Sequence, residues 1–273
     1  MKLRVLDLFS GIGGFSLGLE RTGGFETVAF CEYEPFPRAV LAKHWPDVPC
    51  FPDVRELKGS DIDGPVDVIC GGYPCQPFST AGKRRGAEDD RHLWPEFSRL
   101  VAELRPTWVI GENVAGHISM GLDDVLSDLE RQGYTCRTFV IPACAVGAPH
   151  RRDRVWTVGN ATNDKGMVHK SRSPKKRLAV AGEAMADADN AGLQGRSQAG
   201  HLGGKRSRRN KQFKRRADLP GSTWKPEPDV GRVAHGVSRR MDRLKALGNA
   251  VVPQIPEMIG RAILAAELEA RNA

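Results

Sequence analysis

A doubly wound α/β fold on a mostly parallel sheet is predicted by three observations. Short apolar runs of strand length alternate with helical patterns from residue 3 to about residue 160. The first run passes straight into Ser10-Gly11-Ile12-Gly13-Gly14, a glycine turn of the kind that joins a strand to a helix. Two carboxylates, Glu32 and Glu112, close apolar runs, and the ends of such strands are where open α/β sheets gather their ligands.

The elements follow in order. LRVLDL, residues 3–8, reads as a buried strand, and a helix is expected from Phe15 to Arg21. ETVAFCE is a second strand ending at Glu32. Pro35 then opens a helix to about Trp45, at a position where its missing N–H costs nothing. VDVICGG (66–72) and TWVIGENV (107–114) are further strands, separated by a helix over Leu93–Leu104. Asp123 to Gln132 is helical, stopped by Gly133. YTCRTFVI and RVWTVGN supply the later strands, and the alternation stops near Asn160. From there to about Arg232 the chain is rich in Gly, Ser, Ala, Lys and Arg, which reads as an inserted small domain or long structured loop. Helical periodicity returns at Arg239–Leu247, followed by GNAVVP and an amphipathic helix from Gln254 to about Glu269. The expected organisation is a main domain of residues 1–159 plus 233–273, with a basic insert at 160–232.

Composition narrows the function. No apolar run approaches the roughly eighteen residues of a membrane span, and the N-terminus enters a strand rather than a signal peptide. The six cysteines form no CxxC pair and no zinc-like grouping with histidine, so reduced thiols, a cytoplasmic setting and no metal are expected. Charge is uneven. Residues 160–216 hold 15 Lys/Arg against 4 Asp/Glu, whereas the whole chain is only +8. A near-neutral body with one basic segment suits a polyanion such as nucleic acid, although a solvated surface insertion would carry the same charge.

Several residues invite chemistry. Glycines in the first turn let backbone N–H groups approach a cofactor, and Glu32 is placed to accept ribose hydroxyls. Ser16 stands where a dinucleotide fingerprint needs its third glycine, which favours another adenosine-bearing cofactor over a nicotinamide. A tight turn with a capping acid remains the plain alternative. Cys75 lies between Pro74 and Pro77 after two glycines, in loop chemistry at a strand end, where nucleophiles tend to sit. Cys70, inside the strand, reads as a small buried hydrophobe. Glu112 beside a nucleophile could be held protonated and act as an acid. In HRRDRVW, strand alternation would put His150, Arg152 and Arg154 on one face, where the arginines could grip carbonyl or phosphate oxygens.

Taken together and in this order, the segments resemble the C5-cytosine DNA methyltransferase family. DLFSGIGGFSLGLE is similar to its S-adenosylmethionine loop, and GGYPCQPFSTAGKRRG to its Pro-Cys nucleophile loop. GENV resembles its Glu-Asn-Val motif, HRRDRVW its arginine motif, and RLKALGNAVVP the segment that completes the cofactor pocket. The resemblance implies a Rossmann-like methyltransferase fold with a small target-recognition domain in the basic insert.

It also implies roles. Phe9, with the loop Ser10, Gly11, Ile12 and Gly14, would lie against the adenosyl group, and Glu32 with Tyr33 would hold the ribose. Asp53 and Val54 would meet the adenine, with Pro74, Leu93, Asn249 and Ala250 completing the pocket. Cys75 would attack C6 of a flipped-out cytosine, and Glu112 would hydrogen-bond its N3 and exocyclic amine. Arg152 would contact the pyrimidine O2, and Arg154 would support Cys75 and Glu112. Ser79, Lys83, Arg84 and Arg85 would contact DNA from the loop that closes over the base, and Arg206, Arg208 and Arg209 from the insert. The implied partners are duplex DNA and a cognate restriction endonuclease, for a monomer without membrane contact. His150 stands where the family commonly has glutamine, and the stretch before GNAVVP fits only loosely. A tRNA cytosine-5 methyltransferase of the same fold and a non-catalytic nucleic-acid-binding relic remain alternatives.

Overall fold

The structure, a computed structural model, describes residues 2–74, 93–161 and 240–272. Seven strands form one sheet: β1 (Leu3–Leu8), β2 (Phe25–Cys31), β3 (Cys50–Phe51), β4 (Val68–Gly71), β5 (Trp108–Val114), β6 (Tyr134–Pro142) and β7 (Asp153–Ala161). Their order is β3-β2-β1-β4-β5-β7-β6. The first five are parallel, while β7 runs antiparallel to both β5 and β6. Strand order therefore reverses at β1, with β2 on one side and β4 on the other, and this switch point opens a crevice beyond the carboxyl ends.

The strand sequences explain the two covered faces. Side chains alternate across a sheet, so Leu6, Leu8, Ile69 and Val109 point one way and Val5, Val68, Cys70 and Ile110 the other. On the first face lie α3 (Trp94–Leu104) and α4 (Leu122–Arg131). In α3, Trp94, Phe97, Leu100 and Val101 recur at helical spacing and are all buried. Burying each such side chain contributes roughly 1.5–3 kcal/mol, enough to fix the helix on the sheet. On the second face, α1 (Gly14–Glu20) meets the C-terminal helix α6 (Gln254–Asn272) through Phe15, Leu19, Ile255, Ile259 and Ile263. Two further helices, α2 (Pro35–His44) and α5 (Arg240–Asn249), flank the crevice.

Most differences from the sequence reading are small. The short β3 was not foreseen, since two residues carry no alternation. Backbone hydrogen bonds from Phe30 to Pro49 and from Glu32 to Phe51 attach it beside β2. Asn160 and Ala161 complete β7, so the sheet continues just past the expected boundary at residue 159. One difference matters for the site: β7 begins at Asp153. Strand alternation therefore does not carry back to Arg152 and His150, and Arg152 instead sits at φ 41°. Among the described residues no helix is long and apolar enough to cross a membrane.

Candidate active site

Between β1 and α1 the backbone turns sharply, with positive φ at Phe9 (53°), Gly11 (54°) and Gly13 (83°). Gly11 and Gly13 adopt this region readily, but Phe9 is held there against its preference. Ser10 is buried and its hydroxyl donates to the carbonyls of Asp7 and Cys31, which ties the turn down. Glu32, just past β2, accepts the Gly11 N–H at 2.7 Å and the Glu34 N–H at 2.8 Å, one on each oxygen. Burial raises the Glu32 carboxyl above its ordinary range, and the two N–H groups pull it back. Each carboxylate oxygen retains a second lone pair, so Glu32 can still accept hydroxyl groups.

Beneath this turn, Asp7 is fully buried. One of its oxygens accepts the Ser16 hydroxyl at 2.8 Å and the Ser16 N–H at 3.3 Å, while the other has no hydrogen-bond partner among the described residues. Burial pushes the Asp7 carboxyl up to about 8. The folded chain thus holds a proton there that the unfolded chain releases near the ordinary value of 3.8. Because the folded state binds more protons across that window, this group's contribution to stability falls as pH rises through it and levels off above about 8. Asp7→Asn removes the titration. The urea midpoint of the variant should gain on wild type between about pH 5 and about pH 9, and equal slopes in the two proteins would refute the assignment.

The other half of the site comes from β5 and β7. Glu112 is paired through Oε1 with Arg154 Nε at 2.9 Å, both side chains being largely buried. Burial raises the Glu112 carboxyl, opposed by the charges of Arg154 and Arg152. Gly72 allows this geometry, because a Cβ there would stand 3.0 Å from Glu112 Oε2. Arg152 donates from Nη2 to the Ala250 carbonyl at 3.1 Å, joining the arginine segment to the chain after α5. That chain lies close against α1: a Cβ on Gly14 would be 2.8 Å from the Val251 carbonyl oxygen. Lys245 of α5 pairs with Glu34 at 2.8 Å on the exposed rim.

A single cavity of about 520 Å³ unites these pieces. Phe9, Gly11, Glu32, Pro74, Glu112, Arg152, Arg154 and Asn249 all line it. Other expected residues stand apart from it. Ser10 and Gly14 hold the turn, and Ala250 contributes its carbonyl to Arg152. Ile12 lines a separate groove of about 420 Å³ with Phe36 and Ala246. Tyr33 is 69% exposed. Asp53 is gripped by the Arg55 guanidinium at 2.7 Å, which lowers its pKa, and Val54 is buried in the core. Leu93 packs against the core at the start of α3. Cys75, Ser79, Lys83, Arg84, Arg85, Arg206, Arg208 and Arg209 lie outside the described residues. Among the described residues no three metal-ligating side chains cluster.

Sequence reasoning gave no role to Asn113, Tyr73 or Lys245. Asn113 and Tyr73 line the same cavity and are buried, and Lys245 lies on its wall. Asn113 stands within GENV, but its side-chain hydrogen bond to the Tyr73 carbonyl, 40 residues away, leaves no local pattern.

Residues 3–224 match the family described as C-5 cytosine-specific DNA methylase. The Type II methyltransferase M.AplI of Arthrospira platensis is 37% identical over 164 residues, covering 59% of this chain and 46% of that protein. M.NgoMIV of Neisseria gonorrhoeae is 37% identical over 163 residues, covering 58% and 52%. The chain thus spans about half the length of the curated relatives it matches. Among solved structures, a candidate DNA modification methyltransferase encoded within an E. coli prophage superposes with a TM-score of 0.51 at 31% identity, covering 59% of this chain and 47% of that one. Spodoptera frugiperda DNMT2, at 22% identity and a TM-score of 0.53 over 63% and 54% of the two chains, shares the fold. With the family match running from β1 through β7 and beyond, the chain belongs to the C-5 cytosine-specific DNA methylases.

Proposed function

We propose that the protein is a DNA cytosine-5 methyltransferase that uses S-adenosylmethionine and acts on a cytosine flipped out of duplex DNA. The observation that carries this reading is the single cavity, which holds the Phe9–Gly11 turn and Glu32 together with Glu112, Arg152 and Arg154. The first group suits an adenosyl cofactor: an aromatic face, an approachable backbone, and a buried carboxylate with lone pairs to spare. The bound cofactor would supply an electrophilic methyl group on a sulfonium.

The chain's own residues would do the rest. The Cys75 thiolate would add to C6 of the base, pushing electrons toward C5 while Glu112 shares a proton with N3. Arg152 would hold the pyrimidine O2, and Arg154 would keep Glu112 oriented. After methyl transfer to C5, loss of the C5 proton and expulsion of the Cys75 thiolate would restore the aromatic ring. Thiolate suits this task because it both adds and leaves readily.

In the same reading residues 1–159 plus 233–273 form the catalytic domain and 160–232 the target-recognition region. The basic charge of that region suits phosphate contacts and guanine reading, with Arg206, Arg208 and Arg209 among the candidates. A monomer acting on DNA in the cytoplasm, alongside a cognate restriction endonuclease, completes the proposal.

Incubating the protein with tritiated S-adenosylmethionine and duplex DNA tests it. Label should appear at cytosine C5, and Cys75→Ser should reduce the rate by at least about 10³-fold, or ~4 kcal/mol of barrier. Label in tRNA but not in DNA would reassign the substrate to RNA.

A further inference from the structure

Tyr73 is the residue before Pro74-Cys75, and it is held at both ends by the segment that carries Glu112. Its carbonyl accepts the Asn113 side-chain amide at 3.1 Å. Its hydroxyl meets His117 Nε2 at 3.0 Å, both side chains being buried. Asn113 is fixed in turn, since its Oδ1 accepts the Val114 N–H at 2.9 Å. His117 stands on a short 3-10 turn, Ala115–Ser119, directly after β5.

The surroundings are fitted to this pair. The Tyr73 ring lies 4.9 Å from Trp94 and 5.5 Å from the His117 ring, centroid to centroid. Trp94 is anchored by its indole N–H on Asp128 at 2.7 Å. Two glycines make room. A Cβ on Gly111 would stand 3.1 Å from Tyr73 Cε1, and one on Gly121 would stand 3.0 Å from His117 Cε1. A glycine inside a strand costs stability and commonly marks a close approach, which here is the Tyr73 ring crossing β5. Phenylalanine would fill the same space, so packing alone does not call for the hydroxyl.

We propose that Tyr73 and His117 form a positioning clamp that fixes the backbone leading into Cys75 against the strand bearing Glu112. This rests on the reading of Cys75 and Glu112 given above. The clamp acts through geometry: nucleophile and acid must meet the same base, and small displacements between them carry large rate penalties. Neither residue of the pair is a catalytic residue in this account.

The test measures single-turnover formation of the covalent adduct with duplex DNA containing 5-fluorocytosine, alongside affinities for S-adenosylhomocysteine and DNA. Tyr73→Phe and His117→Leu should each slow adduct formation about 3- to 10-fold, the worth of one buried hydrogen bond, with both affinities unchanged. The double variant should be no slower than the slower single variant, because the two changes remove the same interaction. His117→Gln, whose amide can replace Nε2, should retain most of the rate. An unaltered rate in Tyr73→Phe, or fully additive losses in the double variant, would overturn the clamp. Thermal unfolding verifies that each variant is folded. Should His117→Leu fail that control, Tyr73→Phe, His117→Gln and their double decide the matter. Absence of any adduct from wild type would instead bring down the Cys75 reading itself, and the clamp with it.

Discussion

Glu112→Gln is expected to lower the methyl-transfer rate by roughly 10²- to 10⁴-fold, the usual worth of a positioned acid, with affinity for S-adenosylhomocysteine unchanged. Glutamine keeps the size of the side chain and can still hydrogen-bond, but it loses the transferable proton and the charge that pairs with Arg154. Burial raises the Glu112 carboxyl, so a proton is available nearer neutrality than on an exposed glutamate, while Arg154 at 2.9 Å keeps it oriented. Rapid-quench measurement of methyl transfer, with cofactor affinity taken separately by calorimetry, separates the two effects. A variant within about threefold of wild type would remove Glu112 from acid catalysis.

Gly18→Ala should be the most damaging small substitution on the second face of the sheet. A Cβ at this position would lie 2.2 Å from the Pro253 carbonyl oxygen, 2.9 Å from Pro256 Cβ and 3.0 Å from the Glu257 nitrogen. Two of these three neighbours are backbone atoms, so α1 and the start of α6 must separate. Alanine favours the helix by up to ~1 kcal/mol over glycine. Overpacking of about 1–3 kcal/mol or more opposes it, and the contact distance makes the upper end the expectation. The thermal midpoint should drop by several degrees, and cofactor affinity should weaken as Asn249 to Pro253 shift. Gly248→Ala is the control for stability, because a Cβ there meets nothing within 4 Å. Equal midpoints for the two variants would show that the α1–α6 contact is looser than described.

Much of the fold was legible because it depends on local patterns. The runs 3–8, 107–114 and 134–141 became β1, β5 and β6 almost residue for residue, and Pro35 opened α2 as expected. A two-residue strand such as β3 has no period to read and owes its existence to pairing with β2. The site divided in the same way. Glu32 and Glu112 were visible as carboxylates ending strands. The reach of Arg152 into the cavity was not derivable from alternation, since its backbone turns at φ 41° before β7 begins. The engagement of Asp53 by Arg55 likewise depends on a rotamer choice, which composition does not encode. Tyr73 and His117 are 44 residues apart in the chain, and only the folded sheet brings them together.

The dependence of the cavity on residues 240–272 has a consequence for biosynthesis. Asn249 lines the cavity, Ala250 receives Arg152, Val251 lies against Gly14, and Glu267 accepts the Trp108 indole N–H at 2.8 Å. Chains emerge from the ribosome N-terminus first, so the sheet can begin to assemble while this wall of the pocket is still unsynthesised. A nascent chain in that condition would expose the apolar residues Phe15, Leu19 and Phe25 and would lack one side of its cavity. The cavity would therefore be completed only when residues 240–272 dock, rather than growing with chain length.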